Sequence, residues 1–323
     1  IPTETTRVSV TSAGAQVGAG GADPAVSDDG NVVAVDSTSS ALAPGDGNGV
    51  RDVFVRNQTA GTTSFASVSS GEVVGNGVSS DASISDDGTK VVFTSAASNL
   101  VTRDRNGVTD VFLRDLLAGT TVRVSLTDAD TAANGASSVP VISGDGTKVA
   151  FASDATNLVS GDTNAKRDVF VRDLTLGTTT RISRSGATEG NGASTRPSIS
   201  DNGTVVAFET LASNLNSLGD TNGVSDVMVW TGGASVTRLS HPASLAEPNG
   251  ASTRPSVRGD GLVVVFESAA SNLVSVDTNA KRDIFAITVS SPAPSRVSVD
   301  AEGLQANGNS SQPTVSDDGK LVA

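Results

Sequence analysis

A string of two carboxylates and one amide recurs five times in the 323-residue chain. Its pattern, Asp-x-Asn-x-x-x-Asp, stands each time directly before a short run of β-forming residues. Carboxylate and amide oxygens are the ligands that Ca²⁺ prefers, so the string is a candidate metal loop. The candidate ligands are Asp46, Asn48 and Asp52; Asp104, Asn106 and Asp110; Asp162, Asn164 and Asp168; Asp220, Asn222 and Asp226; and Asp277, Asn279 and Asp283.

The spacing resembles calcium loops of the dockerin and EF-hand kind, and a backbone carbonyl such as that of Val224 would add one more oxygen. Each loop lacks the acidic residue at the fifth position and the bidentate Glu, so we expect weak binding, roughly 10⁻⁴–10⁻³ M. A second interpretation needs no metal. The Asp and Asn side chains would cap backbone N–H groups, and the last Asp would pair with an arginine of an adjacent strand, such as Arg123 or Arg181. The sequence leaves both open.

Other residues with reactive side chains are few, since the chain has one His, one Trp, no Cys and no Tyr. His241 lies in the segment LSHPAS, which has no counterpart elsewhere in the chain, and we expect an exposed loop there rather than a catalytic triad. Trp230 stands where other copies have Arg and indicates a packing variant. Asn191-Gly192 precedes no helix, which argues against a phosphate loop. The sequence therefore predicts no catalytic residue, because catalysis needs a unique cluster of unlike groups.

The elements that position the loops repeat at an even spacing. Tight turns of the type Ser-Asp-x-Gly or a close variant recur about every 58 residues, which is the signature of a repeat architecture. Their glycines are Gly30, Gly88, Gly146, Gly203, Gly261 and Gly319. Within the second repeat, four strand-like runs follow one another at 81–85, 90–95, 110–115 and 121–125. Four antiparallel strands per repeat predict an all-β protein, a β-propeller with four-stranded blades.

Phenylalanine marks the expected core. Eight of the nine Phe residues fall on two repeat positions, one on the second strand and one on the third. Both faces of a middle strand are buried when sheets pack face to face, so we expect these residues to fill the space between blades. They are Phe93, Phe151, Phe208 and Phe266 on the second strand, and Phe54, Phe112, Phe170 and Phe285 on the third, with Met228 in the remaining place.

Blocks such as PSISDNGTVVAFETLASNL and GDTNAKRDVFVRDLTLGTTTRIS resemble the WD40-like (PD40) repeats of TolB-like propellers. The resemblance covers nearly the whole chain and implies a six-bladed TolB-like propeller. The longer loop between the second and third strands, which carries the Asp-x-Asn-x-x-x-Asp string, departs from that pattern. Because many functions share this fold, the resemblance implies the architecture and not the partner.

The repeat units predict one propeller domain over 1–323, with a sixth blade split between the chain ends. The units are about 30–88, 88–146, 146–203, 203–261 and 261–319, with 1–30 and 311–323 contributing to the sixth blade. By alignment, about 28 further residues would complete that blade after Ala323. The alternatives are a blade that is naturally incomplete and strand donation by another chain. A five-bladed count would leave residues 6–10 or the last segment without a place.

The placement of the loops and the net charge limit the classes of function that the sequence predicts. The acidic loops and the Asn-Gly segments are expected at one end of each blade, which makes that end the expected binding face for a protein or glycan partner. A formal net charge of −13 disfavours nucleic acid, and no apolar run approaches the roughly 18–20 residues that span a bilayer. The Asn-Gly residues are Asn76, Asn134, Asn191, Asn249 and Asn307.

The sequence therefore predicts a non-enzymatic binding or structural module, secreted or periplasmic, or at the surface of a bacterial cell, with Ca²⁺ in its repeated loops. Two alternatives remain: a carbohydrate-binding lectin, and the accessory propeller of a larger hydrolase or lyase. Against the lectin, only 3% of residues are aromatic, and nearly all are allotted to the core, which leaves few rings for sugar stacking.

Overall fold

A computed structural model describes residues 5–215 and 219–323 of the chain. The described residues contain no α-helix, and hence none that is long and apolar enough to cross a membrane. They fall into two compact units: Ile1–Val149 with Arg172–Thr178, and Ala150–Val171 with Thr179–Ala323. The single domain over 1–323 stays a prediction.

The first unit contains two complete four-stranded antiparallel sheets, each in sequence order. The strands of the first sheet are β1 (Ala22–Val26), β2 (Val32–Ser37), β3 (Asp52–Asn57) and β4 (Thr62–Phe65). Those of the second are β5 (Ser79–Ile84), β6 (Lys90–Ser95), β7 (Asp110–Asp115) and β8 (Thr120–Arg123). The four strands predicted for the second repeat are confirmed within two residues at each end.

A third sheet follows the same order, and a short hairpin comes after it in the chain. The strands of this sheet are β9 (Ser137–Ile142), β10 (Lys148–Ser153), β11 (Asp168–Asp173) and β12 (Thr178–Arg181). The hairpin consists of β13 (Arg184–Ser185) and β14 (Thr188–Glu189).

The second unit contains two more complete sheets of the same kind. Their strands are β15 (Ser194–Ile199), β16 (Val206–Thr210), β17 (Asp226–Trp230) and β18 (Val236–Arg238), then β19 (Ser252–Val257), β20 (Val263–Ser268), β21 (Asp283–Thr288) and β22 (Ser291–Arg296). The described chain is thus an all-β protein built from repeated four-stranded antiparallel sheets.

The core lies on the middle strands, as the phenylalanine pattern predicts. All eight repeat-position Phe residues are fully buried, and Met228 is buried with them. In the second sheet Phe93 lies directly opposite Phe112, with ring centroids 6.0 Å apart. Phe266 and Phe285 have the same register and the same separation in the last sheet. Such pairs bury large apolar areas, so we expect polar substitutions at the phenylalanine positions to destabilise the sheets.

Each predicted tight turn is stabilised by its own side chains. In the second repeat, Ser85 donates its hydroxyl to Asp87 at 2.6 Å and accepts the backbone N–H of Lys90 at 3.1 Å. Gly88 closes the turn at a φ of 68°, a conformation that a side chain would disfavour. The turn chemistry explains why the Ser-Asp-x-Gly string recurs between the first two strands of each sheet.

Of the segments assigned to the sixth blade, residues 22–26 form β1 of the first sheet, whereas residues 6–10 and 311–323 form only isolated pairings. Residues 6–10, predicted as an outer strand, contain a single bridge, between Val10 and Gln16. At the other end, Val315 bridges Val322, while Thr314 and Ala323 exchange two backbone hydrogen bonds of 3.0 Å. The described residues therefore contain five four-stranded sheets and the start of one more hairpin.

Candidate functional site

Every acidic loop joins the second strand of a sheet to the third. Its last aspartate is the first residue of the third strand in each of the five sheets, namely Asp52, Asp110, Asp168, Asp226 and Asp283. In the second repeat, the amide nitrogen of Asn106 donates to Asp110 at 2.8 Å and to the carbonyl of Ala133 at 3.0 Å. Because Ala133 belongs to the Asn-Gly segment, the loop and that segment lie at the same end of the sheet, as predicted.

The Asn-Gly segment clasps the start of the acidic loop. Asn191 accepts the backbone N–H of Ser213 at 2.8 Å and donates its amide to the Ser213 hydroxyl at 2.8 Å. The backbone N–H of Asn191 donates in turn to Asn214 at 2.9 Å. Asn76 and Asn249 make the same three bonds in their repeats. The Asn-Gly string is therefore a structural clasp in these repeats.

An arginine at the end of the fourth strand lies between the two carboxylates of a loop. In the second repeat, Arg123 Nη2 is 2.7 Å from Asp104 and Arg123 Nε is 3.4 Å from Asp110. In the last repeat, Arg296 Nη2 is 3.0 Å from Asp277 and its Nε is 3.3 Å from Asp283. The positive charge that the loop needs is thus supplied from within the chain.

The third repeat gathers three carboxylates around one arginine. Arg181 Nη1 lies 2.9 Å from Asp162, 3.5 Å from Asp168 and 2.6 Å from Glu189. The side chains of Arg181, Asp162 and Asp168 are at most 6% exposed, so the cluster is shielded from water. In the fourth repeat Arg238 pairs with Asp226 at 3.2 Å and with Glu247 at 3.6 Å. The pairing of the last Asp with Arg123 or Arg181, expected under the second interpretation, is therefore observed.

A serine two residues beyond that arginine completes each network, and sequence reasoning missed it. The Ser125 hydroxyl donates to Asp110 at 2.6 Å, and the same oxygen accepts the backbone N–H of Val111. Ser240 does the same with Asp226 and Val227. The signal was present in the sequence as Arg-x-Ser at the end of the fourth strand. The serines are Ser125, Ser183, Ser240 and Ser298, each two residues beyond an arginine, and Ser67, two residues beyond Phe65.

Burial raises the pKa of these carboxyl groups, whereas hydrogen bonds to them lower it. Burial raises the pKa of Asp168, and the hydrogen bonds from Ser183 and Asn164 and the Arg181 charge offset only part of that effect. Asp110 and Asp226 behave alike. Hydrogen bonds from Thr163, with a contribution from Arg181, instead lower the pKa of Glu189 to about 2. The charged form of Glu189 is thus the one that the loop stabilises.

The first repeat differs because Phe65 stands where the other sheets have arginine. Its ring stacks on Phe54 with centroids 4.8 Å apart, which replaces the packing of the arginine but not its charge. Within the described residues, Asp46 and Asp52 have no ion pair, and Oδ1 of Asp46 is buried without a hydrogen-bond partner. Burial raises the pKa of both aspartates. Among the loops in the described residues, this one alone combines a buried aspartate, Asp52, and a half-buried one, Asp46, that have no arginine partner.

The geometry bears on how well each loop fits a calcium ion. In the first loop Asn48 presents its amide nitrogen to Asp52, and Asn106, Asn164 and Asn279 do the same to the last aspartate of their loops. In the other four loops an arginine already contacts at least one of the aspartates. These four loops do not fit a cation that takes oxygen ligands. No group of three or more His, Cys, Asp or Glu side chains in 5–215 and 219–323 is arranged to hold a metal. Calcium binding stays a prediction, and the first loop is where an added cation meets no competing arginine.

Two other residues singled out in the sequence, His241 and Trp230, lie outside the acidic loops. His241 is buried, so the predicted exposed loop is wrong at this residue. In the described part of the chain, the His241 ring makes one hydrogen bond, from Nδ1 to the Pro242 carbonyl at 2.8 Å, which holds the ring against its own backbone. The Trp230 indole donates to the Gly233 carbonyl at 2.6 Å and closes the turn after β17, in keeping with a packing role.

Many solved structures match the chain, including the three that follow. The putative TolB from Agrobacterium tumefaciens matches at 16% identity and a TM-score of 0.51, over 93% of this chain and 87% of that one. An oligogalacturonate lyase in complex with manganese matches at 14% identity and a TM-score of 0.58, over 92% and 68%. TolB from Acinetobacter baumannii matches at 18% identity and 0.48, and the 85% of this chain that aligns spans 53% of its length.

No family model matches the chain, and neither does any curated protein. The putative TolB and the lyase confirm the predicted architecture, and at such identity they bear on the fold alone. The chain is therefore an all-β protein with repeated four-stranded sheets and the fold of TolB-like β-propellers.

Proposed function

We propose that the chain is a non-catalytic β-propeller outside the bacterial cytoplasm that presents the loop-bearing ends of its sheets to a protein partner. The supporting observation is that side chains of the chain itself bond to the polar groups of the loops. Arginine, serine and asparagine side chains hold four of the five loops rigidly without an added ligand. A preorganised loop surface loses little conformational entropy on binding.

Repetition argues against catalysis. The buried polar clusters repeat nearly unchanged from sheet to sheet, whereas an active site needs unlike groups gathered at one place. The match to a lyase keeps open the alternative of an accessory propeller in a larger enzyme, and a lectin is the other alternative. For the lectin, the described residues offer few rings outside the core, since eight of nine Phe side chains are fully buried.

A groove in the first unit favours a protein segment as the ligand. A cavity of about 1240 Å³ runs along β4 beside the first acidic loop, and its walls include Asn48, Phe65, Val73 and Leu117. Val73 and Leu117 are exposed apolar side chains, 57% and 83% accessible. The walls contain polar and apolar side chains in similar numbers. Exposed apolar side chains beside polar groups are typical of surfaces that bind a protein segment.

Binding of the full chain to a peptide library and a glycan array tests the proposal. The groove extends from Asn48 in the acidic loop to Leu117, which lies in the turn between β7 and β8 at the opposite end of the sheet. We expect a peptide ligand that fills this groove and whose affinity falls about tenfold in Leu117→Asp, since a charge in an apolar contact costs about 1.4 kcal/mol or more. Leu176→Asp is the matched control, because Leu176 is similarly exposed in the corresponding turn of the third repeat. The proposal is contradicted if the chain binds neither a peptide nor a glycan, or if both variants lose peptide affinity equally. Binding to glycans alone favours the lectin.

We further propose that the first loop binds calcium through Asp46, Asn48 and Asp52. At a Kd of roughly 10⁻⁴–10⁻³ M, about 10 mM calcium would stabilise the fold by about 1.4–2.7 kcal/mol. Thermal melts in calcium and in chelator measure the shift. Phe65→Arg supplies the arginine of the other repeats and is expected to abolish it. No shift in the native chain removes calcium binding, and a shift that persists in Phe65→Arg removes the assignment to this loop.

A further inference from the structure

A second charged pair lies where the acidic loop leaves and rejoins the sheet. One partner is an acid at the end of the second strand, and the other is an arginine just before the third strand. Arg51 Nη1 lies 3.1 Å from Asp36 in the first repeat, and Arg282 Nη1 lies 3.2 Å from Glu267 in the last. The fourth repeat keeps the acid, Glu209, but has serine at the arginine position, 225.

The buried Glu209 carboxylate uses only one of its two oxygens within the described residues. The Glu209 side chain is 5% exposed, and its Oε1 accepts Nη1 of Arg196 at 2.6 Å. Its Oε2 is buried and has no hydrogen-bond partner in the described residues. A buried acceptor without a donor costs about 1–3 kcal/mol, so this oxygen favours any donor that can reach it.

The last repeat shows how the same carboxylate is satisfied. Oε1 of Glu267 accepts the Thr253 hydroxyl at 2.9 Å and Nη1 of Arg282 at 3.2 Å. Its Oε2 accepts the backbone N–H of Gln312 at 2.9 Å. Nε of Arg254 also lies 3.7 Å from Oε1, so one glutamate at this position accommodates two guanidinium groups. Glu209 has only the counterpart of Arg254, which is Arg196.

A cavity occupies the place beside Glu209. Its volume is about 240 Å³, and its walls include Thr195, Arg196, Glu209, Leu211 and Ser225. A cavity of about 150 Å³ is large enough to hold benzene, so a planar guanidinium group fits here. The short Ser225 side chain opens the space that an arginine occupies in the sister repeat.

We propose that this cavity is a binding site for a guanidinium group, which donates to the Glu209 carboxylate as Arg282 donates to Oε1 of Glu267. A guanidinium matches a carboxylate edge with parallel N–H donors and is weakly hydrated, so it enters a largely apolar cavity more readily than an ammonium group. The inference rests on the proposed binding function, because it names the chemical group that this loop-bearing end would take. An arginine side chain of a partner and a free small cation are the two sources of that group.

Calorimetric titration of the full chain with methylguanidinium tests the site. We expect saturable one-to-one binding that weakens about tenfold in Glu209→Gln, which keeps the shape of the side chain and removes its charge. Ser225→Arg should fill the cavity from within, abolish methylguanidinium binding and raise the melting temperature. Thr109→Arg is the matched control. It adds arginine at the same position of the second repeat, where Thr94 stands in place of the acid, and should change neither property.

The outcomes separate the alternatives. Absence of saturable methylguanidinium binding to the native chain overturns the site, as does unchanged affinity in Ser225→Arg, a result that does not depend on how well Glu209→Gln folds. Tighter binding of the peptide N-acetyl-Gly-Arg-Gly-amide than of methylguanidinium identifies a partner side chain, and equal affinity identifies a small cation. Methylguanidinium binding in a chain that is silent on both arrays overturns the proposed protein-binding function and leaves the site standing.

Discussion

Arg181→Phe is expected to lower the free energy of unfolding by about 3–5 kcal/mol, because it leaves buried carboxylates without their counter-charge. Arg181 contacts Asp162, Asp168 and Glu189, and the first two are almost inaccessible to water. The substitution copies the first repeat, in which Phe65 occupies this position, so the new ring has a precedent for packing. Urea unfolding followed by circular dichroism measures the change.

The control for this prediction is Arg184→Phe. Arg184 lies three residues further along the chain, is only partly buried and makes no ion pair within the described residues. Its replacement should change stability by no more than about 0.5 kcal/mol. A loss below about 1 kcal/mol for Arg181→Phe would show that the carboxylates find other partners or take up protons at little cost, contrary to the role given to the arginine.

Gly192→Ala is expected to destabilise the chain by about 2–3 kcal/mol through overpacking against backbone. A Cβ on Gly192 would lie 2.3 Å from the Leu211 carbonyl oxygen and 2.7 Å from the backbone nitrogen of Ala212. Neither atom belongs to a flexible side chain, so relief requires the clasp and the loop to separate. A lower melting temperature, with weaker protection of the Ser213 amide in hydrogen exchange, would report that separation.

Gly233→Ala serves as its matched control. A Cβ at Gly233 meets nothing within 4 Å, and the residue is not in the left-handed region. Its replacement should be neutral or stabilise by about 0.4–1 kcal/mol, because alanine restricts the unfolded chain. Similar losses at both glycines would contradict the close approach of the Asn-Gly clasp to the loop.

The architecture could be predicted from the sequence because every repeat carries the same local signals. A 58-residue period, Ser-Asp-x-Gly turns and phenylalanine at two strand positions are each visible in the printed chain, and each follows from rules that act over a few residues. The second repeat shows how far this reaches, since its four predicted strands lie within two residues of the observed ones. The placement of the acidic loops beside the Asn-Gly segments followed from strand connectivity alone.

The chemistry of the acidic loops could not be decided from the sequence in the same way. Asp162 and Asp168 look like calcium ligands because carboxylates at short spacing suit a metal as well as an arginine. Arg181 lies 13 residues beyond Asp168, and only the pairing of the third strand with the fourth brings it to the loop. His241 is buried for a similar reason, since burial depends on packing around the residue and not on its own segment.

From the order of its residues alone, the chain specifies repeated four-stranded sheets, their core and the end of each sheet that carries the long loops. Turn formation and alternation along a strand are local, so they can be read without knowing what lies nearby in space. Only the folded chain shows which loops hold an arginine, that the first loop lacks one, and that Glu209 keeps an unused oxygen beside Ser225. These differences arise where strands meet across the sheet, and there one substitution among near-identical repeats changes the charge of a buried site.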